Sequence, residues 1–327
     1  MTSATQMHAL RLREALTWTG RPRTDVVSAN PTATASARSS QISVSDAYSY
    51  VDVALRLTAI ALLLRPMGPW FVRPAILAAA VVVLIVPRAL RHPFVWGGVS
   101  LLIAIRIADD WPLADNHIYL LCYWSLAIAL ALRTSHAPRT LAFTSRWLVG
   151  FAFACAVLWK ALLSPDFLDG RFFRVTLLTD PRFDAVAQLV GGLSQAQLDG
   201  NREALVPLPN GAELRDPSVV HEPVRLRALA SISTFGILAL ETIVALSMMA
   251  PTTRIFEMLR HATLLSFCGI TYAFAPVAGF GWLLLVMGLT QLAPRQVWLG
   301  RAYIAMFLAV LFYGEVHWAE LALDLVR

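Results

Sequence analysis

The sequence predicts an all-α membrane protein: a polytopic bundle of about nine transmembrane helices with its N-terminus in the cytoplasm. Three observations predict it. Of 327 residues, 57% are hydrophobic and 15% are charged, whereas a soluble chain carries about 25% charge. Mean hydropathy is +0.61. Runs such as 76–87 and 281–294 are too apolar for a soluble α/β unit of this length. At about 20 residues per span the chain has room for eight or nine.

Residues 1–45, rich in Ser, Thr, Ala, Arg and Pro, read as a disordered cytoplasmic tail. They hold no apolar h-region, so the first span is expected to act as an uncleaved anchor. A weakly amphipathic stretch from Met7 to Trp18 reads either as a surface helix or as solvated tail. Five spans are expected within 46–163, at 47–64, 70–87, 93–108, 116–132 and 143–163. Four more are expected within 228–327, at 228–249, 260–276, 278–293 and 299–316, followed by a short tail. Losing a weak span such as 93–108 would make the count eight. Prolines 66, 69, 74, 93, 112, 138, 165, 251 and 294 fall at or near the ends of these segments, where helix breakers belong. Residues 260–293 read as a tight hairpin turning at Ala275–Gly279.

Arginine sets the orientation. With the N-terminus inside, 14 arginines fall on the cytoplasmic side and three on short outer segments; this is the bias that orients membrane proteins in the plasma membrane. The segment 164–227 is the one sizeable extramembrane piece and lies outside. Within it Phe183, Val186, Leu189, Val190 and Leu193 recur at helical spacing, which predicts an amphipathic helix on the outer surface. About 60 residues are too few for a large catalytic domain, so any chemistry belongs in or at the membrane.

The same arithmetic excludes other classes. The net charge of +6 comes with no basic run interleaved with aromatics, so no nucleic-acid partner is expected. Cys122, Cys155 and Cys268 form no C-x-x-C and lie in apolar runs, as packing residues do. No metal site is expected either, since His117, His261 and His317 lack a second histidine or cysteine at i+3 or i+4.

Ionisable groups inside hydrocarbon cost several kcal/mol, so each is a functional candidate. Lys160 is the most informative: it is the chain's single lysine beside 26 arginines, in the last turn of an apolar helix. Lysine, unlike arginine, loses its proton when desolvated and then serves as base or nucleophile; the plainer reading is a lysine snorkelling to the interface. His117 opens the fourth span beside Asn116, where it can hold a polar ligand or shuttle a proton. Arg106, Asp109 and Asp110 end the span before it and suggest a local Arg–Asp pair. Asp52 and Arg56, four apart, are expected to pair with each other. Glu241 lies mid-span and needs a partner from another helix, with Arg56 one candidate. Lys160, His117, Arg106, Asp166, Tyr272, Glu315 and His317 all fall at outer helix ends, the pattern of one pocket opening to the exterior.

Two stretches resemble a known family. Asn116-His117-Ile118-Tyr119-Leu120 resembles the asparagine-histidine-x-tyrosine-leucine element of the vitamin K-dependent gamma-carboxylase family, in its wider bacterial form the HTTM domain. The stretch Lys160 to Gly170, with Pro165-Asp166-Phe167, resembles that family's lysine-leucine-x-proline-aspartate-tryptophan element. His261, Phe267, Tyr272 and Phe280-Gly281 follow in fitting order, and the resemblance covers roughly 46–316. It implies an enzyme, carboxylase-like or a quinone-linked oxidoreductase, acting on a quinone-like lipid in its reduced form. It implies a lysine base with a histidine partner: His117 matches the histidine directly, Leu162 stands at the family's lysine position, and Lys160, two residues earlier, is the candidate base, with Asn116 as donor to the ligand carbonyl. The large extramembrane C-terminal portion of the animal carboxylases is not expected here. A second reading stays open, a non-catalytic partner or maturation factor for a secreted peptide or protein, using the same outer pocket. Secondary transport would call for an inverted repeat and broken midplane helices, and the sequence suggests neither.

Overall fold

Proline punctuates this chain. Pro74, Pro87, Pro93, Pro138 and Pro165 each stand in the first turn of a helix, where a missing N–H costs nothing and the fixed φ suits the turn. A computed structural model describes residues 50–65, 68–206, 220–274 and 279–312, with positions 321, 323 and 325. The tail 1–45, most of the turn 275–279, Glu315 and His317 lie outside the described residues.

The described residues are helical, with no strand among them. In chain order they form α1 (50–64), α2 (Arg73–Ile85), α3 (Pro87–Leu90), α4 (Pro93–Asp109), α5 (Asn116–Ala131) and α6 (Ala137–Leu158). The last runs on into a π-helical turn, Trp159–Leu163. Short helices follow: α7 (Pro165–Leu168), α8 (Arg171–Thr179), a 3-10 turn (Pro181–Phe183), α9 (Asp184–Leu189) and α10 (Gln195–Leu205). The long helices α11 (Val224–Met249), α12 (Arg254–Phe274), α13 (Phe280–Leu289) and α14 (Val297–Phe312) complete the chain. Each of the nine segments expected from hydropathy coincides with one helix. Three of them, α6, α11 and α12, begin four to six residues earlier than expected, because their first turns are polar enough to escape a hydropathy reading.

Two of these helices are long and apolar enough to cross a membrane: Ala137–Leu163, with 27 residues, and Val224–Met249, with 26. About 20 residues suffice for a 30 Å hydrocarbon layer. Only 28% of each apolar window is buried, so most of that apolar surface faces outward, whereas the core helix of a soluble protein would hide it. Helix α13 is the opposite case. It is apolar on all sides, and Gly281 through Leu289 are all buried, packed among α5, α6, α12 and α14. A helix without a polar face sits inside a bundle, and α13 is its axis.

A second, smaller core lies beside the first. Leu177, Leu178, Phe183, Ala187, Leu193 and Leu198 from α8–α10 close on Leu226 and Ala230, in the first two turns of α11. Ser194 and Gln197 form a reciprocal capping box at the start of α10. Of the five residues expected to form an outer-surface amphipathic helix, Phe183, Val186 and Leu193 are buried, and Leu189 and Val190 are exposed. The expected Asp52–Arg56 pair is not formed. Arg91, at the α3–α4 junction, instead grips both carboxylate oxygens of Asp52 at 2.7 and 2.6 Å, a two-pronged contact that an i,i+4 neighbour on the same helix does not match.

Candidate functional site

The site begins where α6 loses its regular winding. Pro165 has no N–H, and the residue before a proline is driven out of the helical region; Ser164 accordingly sits at φ −125°, ψ 80°. The turn ahead of it, Trp159–Leu163, is π-helical, and such wider turns recur at functional positions. Lys160 stands in it. Its Nζ donates to Oε1 of Glu241 on α11 and lies 5.2 Å from the centroid of the Phe167 ring, within cation–π range.

Glu241 is the buried half. It is 6% exposed, and its second oxygen, Oε2, is sealed from solvent and accepts no hydrogen bond. The partner that this carboxylate needs is therefore Lys160, 81 residues away in sequence, while the other candidate, Arg56, is exposed. A carboxylate with one oxygen on an ammonium and the other unpaired holds an acceptor in reserve.

At the same end of the bundle, where α5 begins, a second group forms around residues 279–281. The imidazole of His117 lies so close on Gly279 that a Cβ there would be 2.4 Å from Cδ2 and Nε2. The ring of Tyr272 lies on Gly281, whose Cβ would come within 2.3 Å of Cε2 and Cζ. The Gly281 backbone also hydrogen-bonds the Tyr272 hydroxyl. Only glycine permits two rings to approach the backbone so closely. Arg106 and Asp115 act on His117 as charges, and Arg65 acts on Tyr272. Arg106 is itself paired with Asp110 through Nε at 3.1 Å.

The residues singled out by sequence thus separate into three places. His117, Arg106 and Tyr272 gather at the α4–α5 and α12–α13 ends. Lys160 joins Glu241 and Phe167 instead, and no contact links it to His117 among the described residues. Asp166 pairs with Arg171 at 2.9 Å on an exposed surface, and Asn116 is exposed in the first turn of α5. From α6, Phe153 packs on the first of these groups: its ring lies edge-on to Phe267 at 4.7 Å and 5.9 Å from Phe280, the neighbour of Gly279. His261, named with the family-like residues, is buried nearer the start of α12, with Nδ1 3.0 Å from the Tyr303 hydroxyl.

Sequence reasoning missed Gly279 and Gly281 as site residues. Their signal was the pair of glycines flanking Phe280 directly after a turn, but its meaning depends on which rings lie opposite. Chemically the site offers an amine that can take or give a proton and a sealed carboxylate to hold the resulting charge; the imidazole and the phenol form a separate group. No protein family, curated protein or solved structure matches this chain.

Proposed function

We propose that this chain is a multi-pass protein of the bacterial plasma membrane, an HTTM-like bundle of nine spans. In this reading it acts on a quinone-like lipid at its outer end with Lys160 as the base. The observation that carries the reading is the chain's single lysine set on one oxygen of a sealed carboxylate. Were only an ion pair needed there, arginine would serve better, since its fork can engage both oxygens and it stays charged. The chain uses arginine 26 times elsewhere. Lysine is the choice when the cation must also exist as a neutral amine. As the neutral amine accepts a proton from a ligand hydroxyl, Glu241 stabilises the ammonium that forms, and Oε2 remains to take up a further hydrogen bond. His117 and Tyr272 hold polar atoms at the same end, and the exposed amide of Asn116 can donate to a ligand carbonyl.

The membrane setting has its own support. Ile85, Leu101, Leu130, Phe143, Leu162, Ile232 and Leu246 are each more than half exposed. Together they spread apolar surface over α2, α4, α5, α6 and α11, far beyond the patch a soluble monomer leaves bare. Reporter fusions at 111 and 136 test the topology: the first should report the exterior and the second the cytoplasm.

The chemistry is tested by titrating the purified protein in detergent with reduced and oxidised menaquinone analogues. The native protein should bind the reduced analogue saturably. Lys160→Arg should keep the ion pair and the melting temperature while losing deprotonation of the bound ligand. No binding by the native protein, or a Lys160→Arg variant as active as native, overturns the reading.

A further inference from the structure

At the opposite end of the bundle, where α6 and α12 begin, stand two arginines that form no salt bridge among the described residues. Arg260 on α12 is 5% exposed. Its Nε donates to the Phe256 carbonyl at 3.2 Å, and its two terminal amino groups have no partner among the described residues. Arg146 on α6 gives Nη1 to the Thr252 hydroxyl at 2.8 Å and lies 5.5 Å from the Trp147 ring. Its Nε is sealed from solvent and donates to nothing. Each arginine is within reach of the other's field as a like charge. Glu257, whose Oε1 accepts from the Gln296 amide at 2.8 Å, also acts on Arg260 and offsets part of the charge.

Arg260 is the only buried arginine among the described residues. Arg91, Arg106, Arg171, Arg174, Arg182 and Arg202 each meet a carboxylate. An arginine placed only to orient a membrane protein extends its head into water or the headgroup layer; Arg260 is held inside. Two partly desolvated like charges repel, and they persist in a fold when an anion of matching shape compensates them. The terminal nitrogens of Arg260 are not among the sealed polar atoms, so they reach an opening. The Thr252 hydroxyl, having accepted from Arg146, still has its own proton to donate toward the same place.

We propose that Arg146 and Arg260, with the Thr252 hydroxyl, form a binding site for a phosphate group. Guanidinium forks match the oxygen edges of phosphate, and two fixed positive charges suit an anion with several charged oxygens better than a single carboxylate. The phosphate belongs either to an anionic lipid headgroup or to a soluble phosphate. The site does not depend on the quinone reading; only the lipid source rests on the membrane setting.

The test uses the full chain, reading thermal unfolding and Trp147-sensitive fluorescence. In detergent, inorganic phosphate is titrated against chloride at equal ionic strength. In nanodiscs, phosphatidylcholine alone is compared with phosphatidylcholine plus phosphatidylglycerol. Saturable stabilisation by phosphate, weakened roughly ten- to hundredfold in Arg260→Gln and Arg146→Gln, supports the site with a soluble ligand. A response confined to phosphatidylglycerol and lost in the same variants supports it with a lipid headgroup. Arg260→Lys keeps the charge but not the fork, and should bind more weakly than native in whichever arm responds. The proposal is overturned if native protein responds to neither phosphate nor phosphatidylglycerol. A response as large in Arg146→Gln as in native protein overturns it equally.

Discussion

Removing one half of the Lys160–Glu241 pair should cost far more than removing both. Lys160→Met leaves a carboxylate that is 8% exposed by its side chain, with both oxygens now unpaired where one already was. Stranding a buried charge in this way costs about 3–5 kcal/mol. Glu241→Leu strands the ammonium instead, but that side chain is 22% exposed and keeps the Phe167 ring at 5.2 Å, so about 1–3 kcal/mol is expected. The double variant Lys160→Met/Glu241→Leu replaces the pair by apolar groups of similar size and should fall within about 1 kcal/mol of native or above it. The coupling energy is then roughly 3 kcal/mol or more, at or beyond the top of the range for contacting residues. At roughly 2–4 °C per kcal/mol, Lys160→Met should melt some 6–20 °C below native. Circular dichroism of the four proteins in one detergent measures this directly. Additive losses, with the double variant worse than Lys160→Met, would show that Glu241 is held by something other than Lys160, and the base reading would lose its footing with it.

Gly281→Ala puts a methyl 2.3 Å from the Tyr272 ring, which at 3% exposure has nowhere to retreat, so unfolding should become easier by about 1–3 kcal/mol. Gly279→Ala crowds the half-buried His117 at 2.4 Å, which can swing aside, so ligand binding should fall more than melting temperature. Gly98→Ala, with open space around it in α4, is the control and should be neutral or stabilising by up to about 1 kcal/mol. Among the short helices between α6 and α11, hydrogen bonds from Arg182 hold Asp180 below the usual carboxylate range. Its contribution is therefore complete above about pH 4 and is lost as pH falls through the lowered value. Asp180→Ala should speed amide exchange over 171–206 about fivefold at neutral pH, the rate equivalent of about 1 kcal/mol for a lost cap, with the gap to native closing in strong acid; a gap that stays constant with pH would refute the assignment.

Much of the fold was legible because hydropathy and proline act locally. A run apolar enough to form a helix, closed by a residue without an N–H, needs no knowledge of its neighbours. Burial is different, because it depends on what stands opposite. The 3.6-residue spacing of Phe183, Val186 and Leu193 announces a face that must be covered, and a bilayer or another helix would cover it equally well. In the structure the cover over Phe183 and Leu193 is Leu226 and Ala230, in the first turns of α11, more than 30 residues further along the chain.

The same limit governs the site, and it shows why Lys160 could be singled out but not partnered. Its oddity is compositional: one lysine among 26 arginines in an apolar helix is visible in a list of residues. Its partner is a matter of which face of α11 meets α6, fixed by many small contacts. Among them Gly150 admits Met248 and Met249 closely. Once that register is set, Glu241 falls level with the π-helical turn and Arg56 faces away. The two arginines at the other end obey the same rule with the opposite result. Packing brings Arg260 within reach of both Arg146 and Glu257, so two positive charges share one acid, and it is that imbalance, invisible to any local motif, on which the proposed phosphate site rests.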